Sequence, residues 1–421
     1  MTQSKRIFGY VIFSVLLLML GGVAGYRLRE RGGVQQLSSN PAAFFKVTAT
    51  AQPSEYKEIR FDQFWEVWRI LEQKYLDPNK LAKDQMVYGA IQGMTASIGD
   101  PYTYFLKPVD QKRTEEDLHG SFFGVGIQLG YIDGVLAVQS PLKGSPAERA
   151  GIKAQDLILK VKDEKTGKEE ETAGWSLSQA VDKIRGDRGT RVTLTIFRKS
   201  EKAQPFPVTL ERGEIVVPSA ELAVVEKDGK KIAHITISRF GDRTQDELNN
   251  AIREVSTQNP KVAGIVLDMR NNPGGYLDGA VDVAGEFMKS GTVVTQQGRF
   301  SSQSYSAKGA ARLASYPLVV LVNGGSASAS EIVAGAMRDQ REAKLVGEKT
   351  FGKGTVQDAM ELGGGAGLHV TIARWILPKG DWINEKGIPV DTEVKDDPQT
   401  PADEQLDKAI EVLLQSPTAA K

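Results

Sequence analysis

Two short apolar runs constrain this chain most. Gly264-Ile265-Val266-Leu267-Asp268 and Leu318–Val322 are almost wholly aliphatic, with no alternation of polar and apolar residues. A strand patterned this way is buried on both faces, which a parallel sheet achieves when helices cover it. Each run leads into a glycine-rich turn and then a helical segment, Leu277–Met288 and Ala327–Met337. A further strand is expected over Ile232–Ile237, and Thr244-Gln245-Asp246-Glu247 reads as a capping box opening a helix. The pattern predicts an α/β core with a largely parallel sheet and flanking helices over 213–395, followed by a C-terminal tail over 396–421. In such folds, sites are built at the C-terminal ends of the strands.

Upstream the texture changes. Residues 118–212 carry short strands punctuated by glycine, a helix-like Leu177–Ile184 and a strand over Arg191–Phe197. Residues 59–117 are helical, with Phe61, Phe64, Trp65, Trp68, Leu71 and Tyr75 at helical spacing and a second run from Gln85 to Ile98. Such an aromatic stripe is expected to be core, or a contact between copies, rather than a cofactor site. Residues 31–58 read as a polar linker. Ile7 to Tyr26 holds 26 − 6 = 20 residues without a charge. At 1.5 Å per residue that helix spans about 30 Å, the thickness of a bilayer core. Residues 1–30 therefore read as a membrane anchor or export signal, with the bulk of the chain outside the cytoplasm.

Composition removes whole chemistries. Cys is 0, which leaves no disulfide, thiolate metal site or cysteine nucleophile. The 3 histidines, His119, His234 and His369, are scattered, so no metal site and no cofactor are expected. Lys+Arg 53 balances Asp+Glu 53, so nothing global points to nucleic acid.

Three loops of the core carry chemistry. In Arg270-Asn271-Asn272-Pro273-Gly274-Gly275, paired glycines can point backbone N–H groups at an oxyanion, or form only a turn. In Asn323–Glu331, Ser328 stands at a helix N-terminus, where Ser328-x-x-Glu331 also fits a capping box. Gly347–Gln357 approaches a phosphate-binding GxxxxGK[ST] loop. Gly354 replaces the required Ser or Thr, and Gly363-Gly364-Gly365 arrives too soon for the helix, so the nucleotide reading fails. Lys353 between Gly352 and Gly354 is then either a surface charge or a general base. As a base its pKa must fall from about 10.4 towards 7–8, equivalent to about 3.5–4 kcal/mol. A Ser–Lys pair needs no histidine.

The Ser145-Pro146-Ala147 to Ala150-Gly151-Ile152 segment with Asp156-Leu157-Ile158 resembles a PDZ domain. The run from Gly324 to Glu331 followed by Gly347–Gln357 resembles the carboxyl-terminal processing, or tail-specific, serine protease family. The two key positions lie 353 − 328 = 25 residues apart. Gly99-Asp100-Pro101-Tyr102-Thr103, Asp268–Gly275 and Pro378-Lys379-Gly380 through Asn384–Asp391 add to the match, which spans about Phe61 to Asp391. The resemblance implies Ser328 as nucleophile, Lys353 as its base, and Gln357, one helical turn later if that segment is helical, orienting Lys353. It also implies an oxyanion hole from Ala329 with Gly274 or Gly275, and Glu331 in support. Gly124, Val125, Gly126 and Ile127 would form the PDZ loop that receives a peptide's terminal carboxylate. The implied enzyme is a serine endopeptidase acting on protein or peptide substrates near free C-termini. A proteolytically silent PDZ scaffold and an acyl-CoA-handling enzyme are the rival readings.

Overall fold

The computed structural model describes residues 56, 58–199, 204–397, 400 and 402–415, which fall into two units divided between Leu76 and Asp77. The run Ile7–Tyr26 lies outside the described residues, and among those described no helix is long and apolar enough to cross a membrane.

The first unit contributes the helix Asp62–Lys74. Phe64, Trp65 and Trp68 lie ring against ring, with centroids 4.9 to 6.1 Å apart. No residue of this helix is buried, and Trp65 is 56% exposed. The stripe is therefore not core; its rings pack along the helix on one another.

The second unit carries the helix Lys83–Ala96 near its start and, further along, an antiparallel sheet. That sheet runs in the order Ile127–Ile132, Val135–Pro141, Leu157–Asp163, Arg191–Phe197, Phe206–Glu211. Leu136, Ile158, Leu194 and Ile196 fill its interior together with Ile184 of the helix Leu177–Ile184. Ser176 and Gln179 cap that helix reciprocally, which fixes where it starts.

The parallel sheet is ordered Ala220–Lys227, Lys230–Ile237, Gly264–Asp268, Leu318–Val322, Lys344–Gly347, Thr392–Glu393. Only its first pair is antiparallel. Helices Thr244–Thr257, Leu277–Phe287 and Ala329–Arg341 supply one face with Leu248, Ile252, Phe287, Ile332 and Val333. The other face is closed by Ala409, Ile410 and Leu413 of a helix over Glu404–Gln415, within the segment read from sequence as a tail. Both faces being covered accounts for the unbroken apolar runs.

Two details differ from the sequence reading. Thr244–Glu247 forms no capping box. Thr244 is already helical and its hydroxyl accepts from Gly241 N, while the Glu247 carboxylate turns to Ser219 and Ala220. There is also a second core sheet, wholly antiparallel, of Tyr104–Leu106, Gly367–Ile376, Thr292–Gly298, Ser302–Ser306 and Thr355–Glu361.

Candidate active site

Strands Gly264–Asp268, Leu318–Val322 and Lys344–Gly347 are adjacent and parallel, so the three loops noted above leave the same edge of one sheet. They then bond to one another. Asn271 N–H donates to Asn323 Oδ1 (2.8 Å), and Ala327 N–H to Asn272 C=O (2.9 Å). Ser326 Oγ donates to Met269 C=O (2.7 Å), and Phe351 N–H to Ser326 C=O (3.0 Å).

Ser328 precedes the helix Ala329–Arg341 with φ 58 and ψ −116, and is 7% exposed. A non-glycine residue in this region costs about 1–3 kcal/mol and persists only where the surroundings enforce it, commonly at functional sites. Here the enforcing group is Glu331. Its Oε2 accepts the Ser328 N–H (2.9 Å) and the Lys353 N–H (2.9 Å). Its Oε1 accepts from Thr350 Oγ1 (2.5 Å) and Gly352 N (2.7 Å). One fully buried carboxylate thus ties the serine loop to the lysine loop. Sequence reasoning had given Glu331 only a supporting part.

Lys353 is largely enclosed. Burial lowers its pKa from the ordinary lysine value, opposed by the charges of Asp100 and Glu331. Its flanking glycines are required by contact. A methyl group built on Gly352 would stand 2.7 Å from Gly387 N, and one on Gly354 2.6 Å from Asn384 N. Lys353 C=O accepts the indole N–H of Trp375, and Gly354 C=O that of Trp382, each at 2.9 Å.

Gly274, at φ 104, lies against the serine: a methyl group there would stand 2.7 Å from Ser328 Cβ and 3.1 Å from Ala329 N. Its own N–H donates to Asn272 Oδ1 (2.8 Å), so Gly274 supplies close approach and its donor is engaged. Phe240 N–H donates to Gly274 C=O and Tyr276 N–H to Phe240 C=O, and among the described residues the Gly275 N–H has no acceptor. Ala329 is the first helical residue, so its N–H is one of the donors a helix cannot satisfy internally.

Gln357 is not a helical turn from Lys353. It lies in the strand Thr355–Glu361, and its Nε2 donates to Thr355 Oγ1 (2.9 Å) and Thr371 Oγ1 (3.2 Å). Thr371 in turn bonds Asp100. This brings in two residues that sequence reasoning missed as site residues. The Tyr102 ring centroid lies 5.2 Å from Lys353 Nζ, and Asp100 accepts from Thr103 Oγ1 (2.7 Å) and Tyr102 N (3.0 Å). Burial pushes the Asp100 carboxyl up, but bonds from Thr371, Thr103 and Tyr102 and the charge of Lys353 outweigh it and hold it low. The available signal was a turn-forming Gly-Asp-Pro-Tyr-Thr segment, which marks a bend and names no chemistry.

The strand ending in Asp268 is braced beneath its loop. Asp268 accepts from His234 Nε2 (3.0 Å) and from Arg270, whose guanidinium also grips Asp403 (2.8 Å).

In the antiparallel domain, Gly124 closes the strand Ser121–Gly124 and Ile127 opens Ile127–Ile132. Between them Val125 is buried and its C=O accepts from Ala147 N (2.9 Å). Gly126 has φ 73, and a methyl there would meet Ser145 Cβ at 2.3 Å. Ile127–Ile132 is an edge strand packed beside the helix Leu177–Ile184, a geometry that accepts an added peptide strand.

Peptidase family S41 matches residues 231–394, a PDZ domain matches 138–198, and the activating protease CtpB N-terminal domain matches 18–109. The carboxy-terminal processing protease CtpB of Bacillus subtilis is 32% identical over 372 residues, covering 88% of this chain and 74% of the relative. CtpA of the same organism is 36% identical over 332 residues, covering 79% and 68%. A crystal structure described as an S41 protease from Bacteroides fragilis has the same fold, with a TM-score of 0.55 at 17% identity over 86% of this chain and 99% of the other. The chain therefore belongs to the carboxy-terminal processing proteases of peptidase family S41, serine-type enzymes, and carries their PDZ domain.

Proposed function

We propose that the chain cleaves protein substrates near their C-termini through a Ser328–Lys353 dyad, after the PDZ domain has bound the substrate's free carboxylate. The observation that carries this reading is the Glu331 carboxylate, whose single oxygen Oε2 holds the backbone of both a strained, buried serine and a desolvated lysine. Neutral Lys353 takes the Ser328 hydroxyl proton as Oγ attacks the scissile carbonyl. The Ala329 and Gly275 N–H groups receive the oxyanion, each such donor being worth about 3 kcal/mol. Lys353 then returns the proton to the departing amine, and water hydrolyses the acyl-enzyme by the same route. Gln357, its amide nitrogen held by Thr355 and Thr371, is left with its carbonyl oxygen to steady the lysine. No cofactor is invoked. At the PDZ domain, the N–H groups of Gly124–Ile127 take the carboxylate and the peptide adds to the edge strand Ile127–Ile132.

The decisive experiment compares wild type, Ser328→Ala and Lys353→Ala on one apolar-tailed peptide with a free and an amidated C-terminus. Both variants should lose cleavage, and amidation should weaken wild type. Unchanged cleavage by Ser328→Ala would sink the reading.

The run Ile7–Tyr26 supports single-pass anchoring, with the catalytic part on the extracytoplasmic side. Deleting residues 1–30 should release the protein from alkali-washed membranes; retention would refute the anchor.

A further inference from the structure

The antiparallel core sheet carries a groove of about 500 Å³, whose walls include Gln297, Arg299, Thr355, Arg374 and Trp382. Its position follows from strand pairing. Arg374 on the central strand Gly367–Ile376 is opposite Thr355 on one side and Gln297 on the other. Thr355 is two residues beyond Lys353, at most about 7 Å along the chain. The Thr371 that bonds Gln357 lines the same groove.

Two guanidinium groups line it. Arg270, Arg312 and Arg338 each have a carboxylate within 3 Å. Among the described residues no carboxylate pairs with Arg299 or Arg374, although both face solvent. Each guanidinium instead lies over an aromatic ring, Arg374 over Trp382 at 4.8 Å and Arg299 over Phe300 at 4.9 Å. A guanidinium that no protein acid engages can pair a planar carboxylate in bidentate fashion through its N–H fork. Trp382 is itself held by its indole bond to Gly354.

From this we propose that the Arg299–Arg374 groove is a carboxylate subsite for the peptide substrate, adjoining the scissile bond. The proposal rests on the protease reading above. The carboxylate comes either from an acidic side chain within a residue or two of the cleavage point or from the substrate's terminus, and the experiment separates the two.

Steady-state kinetics on the full chain would use one cleavable apolar-tailed peptide, with Glu or Gln placed at each position around its cleavage point and the C-terminus free or amidated. Wild type should favour Glu over Gln at one position by about tenfold in kcat/KM, expressed in KM. Arg374→Gln and Arg299→Gln should erase that preference while changing kcat/KM for the Gln peptide by less than about twofold. Arg374→Lys should keep only part of it, since the charge stays and the fork is lost. If the arginine variants erase a free-over-amidated preference instead, the terminal carboxylate is the occupant. Equal slowing of Glu and Gln peptides, or no carboxylate preference that depends on either arginine, would overturn the subsite. Loss of all cleavage control by Ser328 would instead overturn the protease reading, so the two failures are distinguishable.

Discussion

The two sides of the site are built differently. The serine side is local: strand Leu318–Val322, a tight loop and helix Ala329–Arg341 follow one another in sequence, and the positive φ of Ser328 is enforced three residues later by Glu331. The lysine side is assembled. Lys353 sits in a loop whose surroundings come from the Asp100–Thr103 turn, the strand Gly367–Ile376 and the Asn384–Gly387 turn. A nucleophile can be placed by a supersecondary unit, whereas lowering a lysine's pKa requires enclosure from several directions.

Glu331 is where the two sides meet, so Glu331→Ala should break the comparison most. It strands four donors, each costing about 1–3 kcal/mol when left buried and unsatisfied. Thermal unfolding should show a large loss of stability, with cleavage lost as well. Glu331→Gln keeps one acceptor oxygen and should fold, with kcat reduced by about 100-fold through misplacement of the reacting groups.

Next in size, Gly274→Ala tests the serine side alone. A methyl at φ 104 is strained and overlaps Ser328 Cβ. We expect a loss of about 1–3 kcal/mol in stability and a fall in kcat with KM little changed; wild-type kcat would contradict the contact.

Asp100→Asn tests the lysine side alone and should act through pH. The Asp100 charge holds the Lys353 pKa up against burial. Removing it lowers that pKa further, so neutral Lys353 is present at lower pH. The rising limb of kcat/KM should therefore move to lower pH, an effect a merely structural defect would not produce.

The smallest effect concerns Asp268, beneath the serine side. Burial raises its carboxyl, but bonds from His234 and Arg270 and the Arg270 charge win and hold it below the ordinary value. A depressed folded pKa contributes stability above the ordinary carboxylate range that is lost as pH falls through the folded value. The melting temperature should drop below about pH 4. In Asp268→Asn it should start lower and fall less steeply.

The sequence determined the parts with short-range causes. Unalternated strands, the glycine turns after them and the helix Leu177–Ile184 are dictated within a few residues, and these elements stand within a residue or two of where periodicity placed them. Gly352 and Gly354 were legible as openings for a packed lysine, and contact with 384–387 supplies the reason. Tertiary structure alone decided the rest. The antiparallel core sheet joins strands from Tyr104 to Ile376, and no local pattern encodes such pairing. Gln357 lies on that sheet, so its partners are cross-strand threonines and not a residue one helical turn away. Asp100 lies 353 − 100 = 253 positions before the lysine whose charge it balances. Periodicity reports which face of an element is buried; it does not report which distant side chain fills the space against it, because that is set by packing and electrostatics between elements.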